Sequence, residues 1–222
     1  MRRDLHDVSI DLRQGLYAFG EPIEHVYFPI DCVLSVVRMM ENGDTIEIGT
    51  IGHEGMSGAQ LAFRAERPES DMFCQVAGNA KCMRTSAFLG HFENLMVFRR
   101  LVFGCTEAFF NFMGQSIACN RLHRVNERCA RWLLLTQDRV GKDEFYLTQE
   151  FLATMLGTTR PAVTLAAGIL QEAGLISYHR GHLKIRDRER LEAASCECYE
   201  VTRRSMERAM NLDDQLRGSA RI

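Results

Sequence analysis

The chain has 222 residues, 46% of them hydrophobic and 25% charged, and a formal net charge of -2 at pH 7. That is enough to bury one large or two modest cores without disulfide or metal staples, with two domains expected. No apolar stretch has the length or purity of a membrane span, and Met1-Arg-Arg-Asp-Leu-His-Asp7 lacks the apolar core of a signal peptide, so a cytoplasmic protein with its eight cysteines reduced is expected.

The charge is unevenly divided. Residues 1–95 hold 8 Lys+Arg against 14 Asp+Glu, whereas residues 121–190 hold 12 against 8, and a basic second half fits contact with phosphate.

Residues 15–85 carry β-rich runs: Val26-Tyr-Phe28, Cys32 to Met40, Thr45 to Ile51, Met72 to Val76 and Ala80 to Met83. Asn42-Gly43 and Gly78-Asn79 each stand between two runs, as in tight hairpins, so an antiparallel sandwich or barrel with the strand spacing of a jelly roll is predicted. From about Ser86 to Arg139 the pattern is helical. Phe98, Val102, Cys105, Phe109, Phe112, Ser116, Cys119 and His123 alternate at spacings of four and three, the a/d pattern of a helix that pairs with its own copy. In that register Cys105 and Cys119 take d positions and face their counterparts, where mild oxidation would crosslink them. A further helix from Asn126 to Arg139 would bury Trp132, Leu133 and Leu135.

Residues 148–176 are the most informative stretch. Thr148 can cap a helix whose apolar face is Phe151, Leu152, Met155 and Leu156, and Gly157 supplies a sharp exit. Thr159 then caps a second helix with Pro161 in its first turn and Val163, Ala166, Ala167 and Leu170 at core-facing spacing. That is a helix-turn-helix. Its exposed side would carry Arg160, Pro161, Thr164 and Leu165, with Thr148, Gln149, Thr158 and Thr159 around the turn and helix starts, all candidates for DNA contact. Leu175 to Ile185 reads as two short strands about an Arg180-Gly181 turn, a wing on which Arg180, His182 and Lys184 could meet phosphate. Arg188 to Met210 reads as one charged amphipathic helix and Asn211–Ile222 as a frayed tail. Cys196-Glu-Cys198 is the closest cysteine pair; on a helix its thiols would point about 200° apart, so no metal chelate is expected there.

The order of β-sandwich, long helix and winged helix resembles the Crp/Fnr superfamily of bacterial transcription regulators. The resemblance rests on Leu147-Thr-Gln-Glu-Phe-Leu-Ala-Thr-Met-Leu-Gly-Thr-Thr-Arg160, on Tyr27-Phe-Pro-Ile-Asp-Cys-Val-Leu-Ser35 and on Gly52-His-Glu-Gly-Met-Ser-Gly58. It implies an α+β fold: an N-terminal antiparallel jelly roll like a cyclic-nucleotide-binding domain over 1–95, a dimerisation helix over 96–123, a winged helix-turn-helix over 124–190, and a C-terminal helix and tail over 191–222. It also implies a homodimer on a palindromic operator in double-stranded DNA, with RNA polymerase as a further partner, and a regulator, not an enzyme. The dimer seam would be Val102, Cys105, Phe109, Phe112, Ser116 and Cys119.

Two departures shape the expectation. Recognition helices of the family begin Arg-Glu-x-x-x-Arg, and here Arg160, Pro161 and Leu165 hold those places; Arg160 keeps a guanine contact, while Thr164 and Leu165 suit thymine methyl groups. Members that bind cyclic nucleotides hold the ribose with a Gly-Glu and the phosphate with an Arg-Ser or Arg-Thr. Here the corresponding pocket offers Gly58, Ala59, Glu69 and Ser70, and a carboxylate where the phosphate would sit repels it. The effector is thus a small molecule or a redox signal other than a cyclic nucleotide, with Arg64 and Arg67 near enough in sequence to rescue an anion site. The amino-terminal cysteine group of iron–sulfur members is absent. No cofactor is predicted; haem or a metal is the alternative, with His25, His53, His91 or His123 as ligands. A different class of reading is a cupin-like metal-dependent enzyme using His53-Glu54, although no His-x-His occurs. A third is a regulator without ligand that follows its abundance or its thiols.

Overall fold

The computed structural model describes residues 1–211, so the predicted tail lies almost wholly outside the described residues. Strands β1 (His6–Ile10), β2 (Gly15–Tyr17), β3 (His25–Pro29), β4 (Val33–Met39), β5 (Thr45–Ile51), β6 (Asp71–Val76) and β7 (Gly78–Arg84) form two antiparallel sheets, β1-β7-β3 and β2-β6-β4-β5. Ile10 and Ala80 of the first sheet and Leu34, Val36, Met72 and Cys74 of the second close on one another in a single buried cluster. Alternation along β4 sends Leu34 and Val36 into that cluster and leaves Val33, Ser35 and Val37 on the opposite face.

Asn42-Gly43 does turn the β4–β5 hairpin, with Gly43 at φ 87°. Gly78-Asn79 does not make a hairpin. β6 and β7 belong to different sheets, and the chain crosses between them there. A Cβ on Gly78 would meet the Asp31 backbone at 2.9 Å, and the Asn79 N–H donates to Asp31 Oδ1 at 2.6 Å. Both a hairpin and a crossing need small, turn-forming residues, so composition alone does not separate them.

Three helices follow: α1 (Thr85–Asn94), α2 (Met96–Leu122) and α3 (Val125–Val140). The predicted seam on α2 faces inward. Phe98, Val102, Phe112 and Cys119 are buried in the chain's own core, Cys105 packs beside Phe98 and Val102, and Phe109 packs on the sandwich. Ser116 is held by Arg131 Nη2 at 3.1 Å. The stripe facing solvent is instead Met96, Phe103, Phe110 and Ile117, spaced by seven and 66, 44, 71 and 73% exposed. The four-and-three spacing marks a real apolar stripe, but α2 also carries an apolar residue at every seventh position on another face, and the chain's own domains take the first stripe.

After α3 come β8 (Glu144–Tyr146), α4 (Gln149–Leu156), α5 (Arg160–Glu172), β9 (Ile176–His179) and β10 (His182–Ile185), the strands ordered β8-β10-β9. The wing is therefore three-stranded. The single helix predicted over Arg188 to Met210 is two, α6 (Arg188–Ala193) and α7 (Cys198–Met210), broken at Ser195-Cys196-Glu197. The outer face of β4 completes the C-terminal core: Val33 and Val37 join Trp132, Leu133, Leu152 and Met155 in one buried cluster, and Phe73 meets Phe151 edge-on at 5.9 Å.

Candidate nucleic-acid interface

Caps fix the two helices of the turn. Thr148 Oγ1 accepts the Phe151 N–H at 3.1 Å, Gly157 ends α4 in the left-handed region at φ 57°, and Thr159 Oγ1 accepts the Ala162 N–H at 3.4 Å. Thr158 bridges them, its N–H donating to Ala153 O at 3.0 Å. Pro161 sits in the first turn of α5, where no N–H is needed. Val163, Ala166, Ala167 and Leu170 are buried, which leaves Arg160, Pro161, Thr164 and Leu165 outward; Leu165 is 69% exposed although apolar. Thr164 Oγ1 donates to Gln149 Oε1 at 2.8 Å and so ties the face of α5 to the start of α4.

Arg160 and Arg180 line one open groove together with Thr148, Gln149, Glu150, Tyr178 and Gly181. Arg180 is held there by its turn, at φ 49°, followed by Gly181 at φ 85°, where a Cβ would strike the Tyr146 ring at 2.6 Å. His182 and Lys184 do not line that groove. The His182 ring meets Tyr146 edge-on at 5.5 Å, and Lys184 Nζ lies 4.0 Å from Glu144 Oε2. The unpredicted strand β8 supplies both partners; Glu144-Phe-Tyr146 is too short to announce itself by alternation.

Gly58, Ala59, Glu69 and Ser70 do come together, on the wall of a cavity of about 340 Å³ between the sandwich, α2 and α7. Its lining is mainly apolar, with Val36, Ile48, Met72, Phe109, Phe112 and Met206 among it. Glu69 is 83% exposed and turned to Arg38 at 3.8 Å. Of the two arginines that could have rescued an anion site, Arg64 does not line the cavity and pairs with Glu93 at 2.9 Å, whereas Arg67 does line it, with its Nη1 donating to Gly20 O at 2.5 Å.

None of His25, His53, His91 and His123 lines this cavity, so the residues there do not fit a histidine-ligated haem. His91 Nε2 pairs with Asp4 at 2.9 Å, and His53 Nδ1 lies 3.4 Å from Arg139 O. Glu54, the other half of the cupin-like pair, is spent on a buried ion pair with Arg139 at 2.8 Å. One constellation escaped the sequence reading. Cys119, His123, Cys196 and Cys198 gather at the far end of α2. The signal is a Cys-x-x-x-His at helical spacing together with the Cys-x-Cys, whose expected placement on one helix does not hold because Cys196 lies between α6 and α7.

A family profile described as the Crp-like helix-turn-helix domain matches residues 127–194. Among solved structures, FixK2 from Bradyrhizobium japonicum matches with a TM-score of 0.70 at 15% identity, over 86% of this chain and 98% of that one. TTHB099, a transcriptional regulator of the CRP family from Thermus thermophilus, matches at 0.69 and 16%, over 86% and 99%. The c-di-GMP responsive global regulator CLP of Xanthomonas campestris matches at 0.64 and 13%, over 82% and 94%. No curated protein sequence matches the chain. The matching domain family and these regulators belong to transcription and not to enzyme chemistry. The chain thus carries a Crp-like helix-turn-helix domain, and it has the fold of the Crp/Fnr transcriptional regulators.

Proposed function

We propose that the protein is a sequence-specific DNA-binding regulator of transcription that acts as a homodimer on a palindromic operator. The observation that carries this is the outer face of α5: a capped helix in a Crp-like domain presents Arg160, Thr164 and Leu165 to solvent beside the Arg180 turn. A helix placed so can enter a major groove, where Arg160 reads guanine, Thr164 and Leu165 contact thymine methyl groups, and Arg180 neutralises phosphate. Dimerisation uses the exposed stripe Met96, Phe103, Phe110 and Ile117, since four large apolar side chains in one heptad register on a solvent-facing helix suit a second copy.

The effector binds the cavity beneath α2 and is a small, largely apolar molecule in place of a cyclic nucleotide. Its lining is mainly apolar, its one cation, Arg67, already donates to Gly20 O and shares the wall with Glu54 and Glu69, and about 340 Å³ lies within the range of small-molecule sites. Selection of bound sequences from a random DNA pool tests the reading. A palindrome with half-sites one helical turn or a multiple of it apart is expected, and recovery of no shared sequence would overturn it.

A further inference from the structure

Cys119 and His123 are four residues apart at the end of α2, which places them side by side on one face. Cys196 sits in the turn between α6 and α7, and Cys198 opens α7, so their thiols are not held on opposite sides of a helix; both meet Cys119 in a buried cluster. The three Sγ atoms and a ring nitrogen of His123 all lie within 4.8 Å of one another. Cys119 Sγ and Cys196 Sγ are 3.5 Å apart, as are Cys198 Sγ and His123 Nδ1. In a tetrahedron with metal–sulfur bonds of about 2.3 Å and metal–nitrogen bonds of about 2.05 Å, the S–S edges are about 3.8 Å and the S–N edges about 3.6 Å. Two of the six edges already stand close to those lengths, and the other four are at most 4.8 Å, so a small closure completes the tetrahedron.

The surroundings suit the same ligand. Glu197 Oε2 lies 3.2 Å from His123 Nε2, so the carboxylate can hold the Nε2 proton and leave the Nδ1 lone pair to a metal. Gln115 Nε2 donates to Cys198 Sγ at 2.9 Å. Arg128 and Arg131 are buried nearby, each with an Nε that has no partner among the described residues. Three thiolates around a dication carry one net negative charge, which partly offsets those two buried cations.

We propose that Cys119, His123, Cys196 and Cys198 bind one zinc ion. Each thiol gives its proton to solvent as its sulfur bonds the metal, and nothing is oxidised or reduced. Four protein ligands leave no open position, so the site is structural in kind. It ties the start of α7 to the end of α2, where the backbone leaves the helix at His123 and turns into α3. Filling it therefore fixes how the helix-turn-helix domain is set on α2, a consequence that rests on the DNA-binding reading above, whereas the metal site itself does not.

The test uses the full chain in reducing, chelator-free buffer. Elemental analysis should find one zinc per chain, and cobalt added to the metal-free protein should give the visible and charge-transfer bands of tetrahedral thiolate coordination. Cys119→Ser, Cys198→Ser and His123→Ala should abolish those bands, Glu197→Gln should weaken metal affinity by about tenfold or more, and Cys82→Ser, in the sandwich, should change neither. Metal-free protein that yields no cobalt bands, bands that survive all three ligand substitutions, an iron–sulfur chromophore, or a Cys119–Cys196 disulfide in the protein as purified would each overturn the site. Operator affinity should change severalfold when zinc is removed; a filled site whose removal leaves that affinity unchanged would overturn the coupling and uphold the site.

Discussion

Arg160 owes its reach to its neighbours: Thr159 caps the helix before it and Pro161 follows it without a wasted N–H, so the guanidinium projects from the first turn, unpaired by any carboxylate among the described residues. Arg160→Ala should weaken operator binding by about 1–3 kcal/mol and relax preference at one base pair per half-site. Arg180→Asn keeps a residue that tolerates the left-handed backbone and removes the charge. It should lower affinity for all sequences alike and make the salt dependence shallower by about one unit, as a binding series across salt concentrations would register. In the proposed effector cavity the wall carries one cation, Arg67, beside the carboxylates Glu54 and Glu69. Ala59 cannot accept from a ribose hydroxyl, Arg64 lies off the cavity and Arg67 already donates to Gly20 O, so titration calorimetry with cyclic AMP or cyclic GMP should give no heat and no change in operator affinity. Micromolar binding by either would reject the assignment of this pocket. Single residues of this kind were legible in the sequence wherever a turn or a cap fixed them, as at Thr148, Gly157 and Thr159, because those geometries are local. The partners of Lys184 and His182 were not, because Glu144 and Tyr146 arrive from a strand some forty residues back in the chain.

Whole elements divide in the same way. The strands from β3 to β7 follow from apolar runs bounded by turn residues, whereas β1, with most of His6-Asp-Val-Ser-Ile10 exposed, has too little buried surface to mark a strand by pattern. The length of α2 was readable and its register was not, since pairing depends on which stripe the sandwich and α7 have already covered. Burial also pushes the Cys105 thiol up to about 11, and Cys119 is wholly enclosed, so neither stands ready to meet its counterpart in a second chain. Mild oxidation should therefore produce no crosslink through these two residues. Phe110→Glu and Ile117→Glu each place a charge on the exposed stripe, and either should shift the protein from dimer to monomer in sedimentation equilibrium without loss of helix content. Phe110 is 71% exposed in the single chain, so the substitution costs the monomer little, and a dimer that persists in both variants would move the interface off this face of α2.

At the scale of the molecule, the outer face of the sandwich is coupled to the helix-turn-helix domain by two ionisable contacts. Arg139 of α3 reaches back to Glu54 and to Thr50 of β5, and Glu47 of β5 accepts from Trp132 Nε1 at 3.1 Å and from Ser35 Oγ at 2.8 Å. Burial pushes Glu47 up to about 7, against the opposing pull of the Ser35 and Trp132 hydrogen bonds and of the Arg139 and Arg131 charges. A carboxyl whose folded value is raised is protonated more in the folded state than in the unfolded one, so it stabilises the fold at low pH and loses that contribution as pH climbs to about 7. Between pH 6 and pH 8 stability should fall by roughly 1–2 kcal/mol on this account. Glu47→Gln keeps an oxygen for Trp132 and has no proton to lose, so the fall should shrink by that amount. Trp132 is the single tryptophan, and its fluorescence during denaturation at both pH values reads the contact directly. Titrating histidines elsewhere contribute equally to both proteins and cancel in the difference. An equal pH dependence in the variant would place the ionisation outside this interface. A reduced one would establish that Glu47 sets how firmly the helix-turn-helix domain is held on the sandwich, since its two hydrogen-bond partners belong to the sheet and to α3.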